Sequence, residues 1–272
     1  MELILSEVQF DPFADTLFAC GSIVEGFHNC FSDLDILIIG DQPQADRRSS
    51  TFYIAGLSRW VDIAWLSELE INEIAAKLNA AGPIGWHARP ALSLQEYDLA
   101  HRIKLAVPLT NLAAERYHDL KKSFLGPQLC RSLCHSYTRA ARARWYDAIG
   151  AFESHQFRQA HHVMRICHSL SIDGMLALFG ETNPSDKWRW AKLNRAADAI
   201  REKGVSFDPD PPCDDLEHFM RETAALMFDL TALYHGREIQ RPPVPVVATS
   251  RYEHTPDGLY VLHANGHQEL VI

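Results

Sequence analysis

Residues 20–39 read CGSIVEGFHNCFSDLDILII, and this stretch decides the fold. The apolar run from Thr16 to Cys20 stops at Gly21-Ser22, and a second run, Leu34 to Ile39, is broken only by Asp35. A third, Trp60 to Leu66, is broken only by Asp62. Short, nearly continuous apolar runs bounded by turn residues are the pattern of buried strands. A glycine and a small hydroxyl residue at a strand end make a tight turn whose backbone N–H groups, with the Ser22 hydroxyl, are donors for phosphate oxygens. Asp33 and Asp35 stand at i and i+2, so a strand carries both carboxylates on one face, at the edge of an apolar run.

Two like charges in that position repel one another and lose hydration, and a bound divalent cation is the simplest neutraliser. Ligands that are all oxygen favour a hard ion such as magnesium or manganese. If the strand of Asp62 neighbours the strand of Asp35, the three acids form one cluster able to hold two ions, as two-metal phosphoryl and nucleotidyl transfer requires. Each residue also has an ordinary reading. Asp33 suits a turn, Asp35 a local polar partner, Asp62 a pair with Arg59, and Ser22 a strand end. Lys187 suits a solvated first turn and Trp188 a core anchor. The combination of the three acids outweighs these readings for Asp33, Asp35 and Asp62, while for Lys187 and Trp188 the ordinary reading stands level with a phosphate role.

Outward from this stretch, the first third alternates strands and helices. The polar segment Gly40 to Ser50 reads as a loop, and Tyr53-Ile54-Ala55 adds a further strand. From Ser67 the periodicity becomes helical. Ser67 with Glu70 and Ser93 with Glu96 are capping-box pairs, the first followed by Ile71, Ile74, Ala75 and Leu78 at helix spacing. Helices are expected from Pro127 to about His155, Gln156 to Phe179, Ser185 to about Lys203 and Asp214 to Tyr234, with Gly180 to Pro184 and Asp208 to Pro212 as interruptions. Arg241 to Pro245 reads as extended. Tyr260 to His263 and Gln268 to Ile272 flank an Asn265-Gly266 turn, a hairpin pattern. The fold class is therefore α+β: a mixed-sheet domain over 1–110, a helical domain over 111–238, and a tail over 239–272 carrying a β-hairpin.

The 272 residues are 47% hydrophobic, enough for one large core or two modest ones. A formal net charge of −9 gives no general attraction toward polyanions, so nucleic acid is a disfavoured partner. The Arg139 to Trp145 segment is basic with an aromatic, and a solvated helix face is the better reading of it than an RNA contact. The N-terminus lacks a signal-peptide pattern and no apolar run reaches a membrane span, so a cytoplasmic address is expected. Six cysteines without a CxxC pair suggest reduced thiols. Cys130, Cys134 and His135 with His161, His162, Cys167 and His168 allow a zinc site on helix faces, but packing thiols are the better reading.

Gly21-Ser22, Gly26, Ser32-Asp33-Leu34-Asp35 and a later strand aspartate together resemble the signature of the polymerase-beta-like nucleotidyltransferases. The resemblance implies a nucleotidyltransferase-fold mixed sheet, with Asp33 and Asp35 on the metal and Asp62 as metal ligand or general base for an acceptor hydroxyl. It implies Gly21, Ser22 and Ser32 as nucleotide contacts. The whole-chain plan, with Glu25-Gly26 and the segment Phe179 to Trp188, is similar to the aminoglycoside adenylyltransferases of the streptomycin and spectinomycin type. That likeness implies that Lys187 reaches the triphosphate from the second domain. The chain departs from many members in having Phe27 to Phe31, with no Lys or Arg, just before Ser32-Asp33.

The expected activity is magnesium- or manganese-dependent transfer of a nucleoside monophosphate, AMP from ATP being the first candidate, to a hydroxyl of a small molecule with release of pyrophosphate. Two rival readings differ in class. One is nucleotidylation of a protein side chain or a tRNA end. The other is a catalytically silent nucleotide-binding module.

Overall fold

The computed structural model describes residues 16–40, 49–80, 89–210, 215–236, 251–255, 258–262 and 268–270. The expected extended piece Arg241 to Pro245, the Asn265-Gly266 turn, residues 41–48 of the first loop, Pro211, Pro212 and Cys213 lie outside them. By contacts the chain divides into two units that are discontinuous in sequence. One takes in Met1–Pro83, Pro90–Ser132 and Thr182–Ala191, and the other Ile84–Arg89, Leu133–Glu181 and Lys192–Ile272.

Among the described residues the first unit is built on five strands: β1 (Thr16–Cys20), β2 (Leu34–Ile39), β3 (Ser49–Ile54), β4 (Arg59–Leu66) and the two-residue β5 (Val107–Pro108). Their order is β3-β4-β2-β1-β5. β2 and β4 run parallel and the other pairs antiparallel, so the sheet is mixed as expected. The three apolar runs became β1, β2 and β4 because each lies inside the sheet, where both faces need covering. Leu17, Ile36, Ile38, Val61, Ile63 and Trp65 form one buried cluster with Ile54. The alternate residues of β2 and β4, Asp35 and Asp62 among them, point to the other face.

Strand β3 begins at Ser49, inside the segment read as a loop. Ser49, Ser50, Thr51 and Tyr53 are exposed, so both faces of its first pleats meet solvent and the sequence offered no apolar alternation to betray it. Gly21–Glu25 forms a one-turn helix, α1, ended by Gly26 in the left-handed region. Helices α2 (Glu68–Ala80) and α3 (Leu94–Leu105) start where the capping boxes put them. In both, the serine hydroxyl accepts from the glutamate N–H at 3.2 Å, and the glutamate carboxylate accepts from the serine N–H at 2.9 and 2.7 Å. Ile71, Ile74, Ala75 and Leu78 are the buried stripe of α2. Helix α4 (Asn111–Leu125), capped by the Thr110 hydroxyl on the Ala113 N–H, was not marked in the sequence reading.

Helix α5 (Pro127–Glu153) starts in the first unit and continues into the second, where it is joined by α6 (Phe157–Leu178) and α8 (Leu216–Tyr234). Between α6 and α8 lies α7 (Arg189–Glu202), preceded by a 3-10 turn over Asp186–Trp188, so the helix expected from Ser185 opens in tighter winding. Ala141, Trp145 and Ala148 from α5 meet Val163, Met164 and Cys167 from α6, and Phe219, Met220 and Met227 from α8, in one buried cluster. Their spacings of one turn or two per helix are those of helices packed face to face. Trp145 is part of this core, which leaves the basic Arg139 to Trp145 segment without an exposed aromatic. Three antiparallel strands, β6 (Arg251–Thr255), β7 (Gly258–Leu262) and β8 (Gln268–Leu270), extend the expected hairpin by one strand. Among the described residues no helix is long and apolar enough to cross a membrane.

The capping boxes make a direct test of local stability. Ser93→Ala and Ser67→Ala are each expected to lower unfolding stability by about 1 kcal/mol. The measurement is a shift in the urea midpoint with an unchanged denaturant slope.

Candidate functional site

Strand register builds the centre of the site. Asp35 of β2 lies opposite Asp62 of β4 in the parallel pair and opposite Cys20 of β1 in the antiparallel one. Partners in register carry their side chains on one face, so the two carboxylates are neighbours across the sheet. The backbone beside Asp35 is Gly21, at φ +71, and a Cβ built there would fall inside the Asp35 carboxyl group. Glycine is thus required twice at this position, for its left-handed backbone and for the close approach of the acid.

Burial pushes the Asp35 carboxyl above its usual range. Arg102 pulls the other way, while Asp62 and Asp98 add to the rise. The Arg102 Nη1 donates to Asp35 Oδ1 at 2.8 Å and its Nε donates to Asp98 Oδ2 at 2.7 Å. Burial opposes the Arg102 charge, yet Asp98 and Asp35 together hold the guanidinium protonated well above its ordinary range. Arg102 therefore supplies the positive charge that the sequence reading assigned to a metal ion alone. Asp62 is placed differently: its Oδ1 is buried and has no hydrogen-bond partner among the described residues. Arg59, the pairing partner weighed for it, donates instead to the Ser32 carbonyl at 2.8 Å.

A cleft of about 320 Å³ opens over these groups. It is lined by Gly21, Ser22, Ser32, Asp33, Asp35 and Lys187 among the expected residues, and by Glu25, Asp98, His101, Arg102 and Trp188. Asp62 lies beside Asp35 and is not part of that lining. Among the described residues no three His, Cys, Asp or Glu side chains are gathered closely enough to hold a metal ion, and this applies to Asp33, Asp35 and Asp62 as it does to the cysteines and histidines of the helices. Cys167 instead donates to the Ala141 carbonyl, and His168 bonds Thr223 and the Asp208 carbonyl. Ser32 accepts from the Asn29 N–H at 2.9 Å, so its hydroxyl fixes the turn that presents Asp33. The donors are of the type a hard divalent cation takes, three carboxylates of which Asp62 retains an unbonded buried oxygen, but they are not gathered about one point and Arg102 occupies Asp35.

Lys187 comes to the cleft by a route the sequence did not disclose. The segment Thr182–Ala191 belongs to the sheet-bearing unit, not to the helical one. Glu25 Oε1 accepts from His101 Nε2 and from Asn183 Nδ2, each at 2.8 Å. His101 Nδ1 meets the Thr182 hydroxyl at 2.9 Å, and Lys104 donates to that hydroxyl at 3.2 Å. Glu25 as a carboxylate only accepts, so His101 Nε2 is the donor. The side chains of Glu25 and His101 are 1% and 5% exposed, which makes this pair a buried staple rather than a surface contact. Beyond it, Lys187 Nζ sits 4.7 Å from the centre of the Trp188 ring, and Trp188 stacks on Phe27 at 5.6 Å. Trp188 is therefore at the lip of the cleft and not a core anchor.

Asp98, His101 and Arg102 were missed by the sequence reading. Their signal was available: they stand at i, i+3 and i+4 on α3, a helix whose buried residues include Tyr97, Ala100 and Ile103, so three titratable groups share a largely covered surface. Two measurements probe this arrangement. Gly21→Ala is expected to lose at least about 1 kcal/mol of stability from the left-handed backbone, and more from displacing Asp35. Burial pushes the Cys20 and Cys167 thiols up to about 12, whereas Cys30 is exposed. At about pH 8 a thiol reagent should label Cys30 at once and leave Cys20 and Cys167 protected until the chain unfolds, as peptide mapping would show.

No family model matches the chain, and no curated protein matches its sequence. Among solved structures, a nucleotidyltransferase-like protein from Exiguobacterium sibiricum 255-15 is similar at a TM-score of 0.35 and 14% identity, over 82% of this chain and 68% of that one. A likeness of that degree decides neither fold nor function, so the chemistry of the cleft is what remains to be read.

Proposed function

We propose that the chain is a nucleotidyltransferase that moves a nucleoside monophosphate, AMP from ATP in the first instance, to a hydroxyl of a small molecule and releases pyrophosphate. The observation that carries this reading is the junction of β1 and β2. There the Gly21-Ser22 turn closes over Asp35, Asp33 shares the cleft, and Asp62 stands in register with a buried, unbonded oxygen.

Asp33, Asp35 and Asp62 are the acids that would hold a magnesium or manganese ion, which requires them to close from their present spacing and Arg102 to give up Asp35. When bound, such an ion neutralises triphosphate charge and lowers the pKa of the acceptor hydroxyl. The remaining roles fall to the chain itself. The Gly21-Ser22 turn and the Ser22 hydroxyl donate to phosphate oxygens. Lys187 and Arg102, both lining the cleft, oppose the charge that grows on the leaving pyrophosphate. Asp62 takes the proton of the attacking hydroxyl as the new oxygen–phosphorus bond forms and the bond to pyrophosphate breaks in line with it. The Glu25–His101 staple holds Asn183 and Thr182, and through them the short run to Lys187, at the cleft wall.

Asp33→Asn and Asp35→Asn are expected to lower transfer on the order of 10²–10³-fold while the far-ultraviolet dichroism is unchanged. Turnover like that of the parent chain in either variant would overturn the assignment. Asp62→Asn should reduce the single-turnover rate roughly 10²–10⁴-fold with little change in triphosphate affinity, and a defect in affinity alone would remove Asp62 as the base. Lys187→Ala should raise the KM for the triphosphate at least about tenfold, the size expected for one charge-assisted hydrogen bond.

A further inference from the structure

We infer that a second cavity in the sheet-bearing unit is the acceptor subsite, and that it takes a hydroxylated molecule with an apolar, ring-sized body rather than a polycation. The inference rests on the nucleotidyl-transfer reading and names the substrate class for it. The cavity is about 690 Å³, within the range of small-molecule sites. Its walls include Ala64, Trp65 and Leu66 of β4, Leu94 and Leu99 of α3, and Pro184.

Position ties it to the reacting groups. Asp62, Ala64 and Leu66 alternate along β4 on one face of the sheet, so the cavity begins about 7 Å along the strand from the Asp62 carboxylate. Asp98 and Ser185 line both the cavity and the cleft, so the two spaces share a wall. A molecule held between the Ala64 and Leu66 side chains of β4 and Leu99 can extend a hydroxyl past that wall to the phosphate-binding groups.

Charge decides the class of occupant. The cavity has two acids, and both are engaged within the fold. Glu70 accepts from the Ser67 N–H and hydroxyl at 2.9 Å, and Asp98 accepts from Arg102 at 2.7 Å. A polycation would lose the hydration of several ammonium groups against two carboxylates, of which Asp98 is already matched by Arg102, a loss that an apolar ring does not incur. The net charge of −9 draws cations to the surface as a whole, but it does not bring them into this cavity.

The step balances simply. The acceptor oxygen bonds the α-phosphorus, its proton goes to Asp62, and the bond from the α-phosphorus to pyrophosphate breaks. The probe is 2-naphthol, added to the full chain and followed by its fluorescence, beside magnesium-dependent binding of the α,β-methylene analogues of the four nucleoside triphosphates. Saturable naphthol binding is expected, weakened at least about tenfold by Ala64→Phe, which fills the cavity, with analogue binding changed less than about twofold. Leu94→Asp, at an exposed position of the same wall, is the second variant should Ala64→Phe fail to fold, and it should weaken naphthol in the same direction. With the matching triphosphate, naphthol should stimulate pyrophosphate release, and the variants should lose the stimulation. Naphthol binding untouched by both substitutions, or no stimulation while an analogue still binds, overturns the acceptor subsite alone. Failure of every analogue to bind with magnesium overturns the transfer reading and this inference with it.

Discussion

The first unit is organised around a single electrostatic problem, a carboxylate held at the start of its central strand. Asp35 is the second residue of a strand whose last four residues are buried, between β1 and β4, with a second acid in register beside it. Neither repulsion nor desolvation favours a negative charge there. The chain answers with backbone and with charge. Gly21 gives up a side chain so that the carboxyl group can lie against the turn, and Arg102 crosses from α3 to pair with it. Asp98, one turn earlier on the same helix, holds Arg102 at the right height. The result is a polar centre whose charges are set before any ligand arrives, which is the condition for electrostatic preorganisation.

That centre has a consequence for a segment remote in sequence. Thr182 and Asn183 are drawn to α1 and α3 by Glu25 and His101, through contacts that span 81 and 158 residues of chain. Both side chains of the central pair are nearly inaccessible, so the hydrogen bonds do not compete with water. A lysine and a tryptophan that follow helices of the second unit in sequence thereby become walls of the first unit's cleft. Substitutions in this staple would act by displacing Lys187 and Trp188 from the cleft wall.

The second unit depends on ordinary packing. Methionine, cysteine and aromatic side chains interlock among α5, α6 and α8, and Gly174 lets α6 approach Leu230 closely. Cys134, Cys167 and His168, which looked capable of gathering a metal, are instead bonded to nearby backbone and hydroxyl groups. Their proximity in sequence came from helix periodicity, which places like residues on one stripe without bringing them to one point.

By itself the sequence determined what depends on neighbours in the chain. β1, β2 and β4 were legible because buried strands must be apolar, and α2 and α3 because a serine and a glutamate three residues apart satisfy each other's backbone. Gly21, Ser22, Asp33 and Lys187 were legible as cleft residues by spacing and resemblance. Of strand β3 only the end at Tyr53-Ile54 was legible, and helix α4 was not marked, since an exposed edge strand and an unremarkable amphipathic stretch leave little local trace. Only the tertiary structure decided which charge answers Asp35, because Arg102 lies 67 residues away and nothing in local pattern links the two. It also decided that Asp62 stands beside Asp35 without joining the lining of the cleft, and that Lys187 arrives within the sheet-bearing unit. Such pairings are fixed by strand order, register and helix packing, which are properties of the whole chain's burial and not of any window along it.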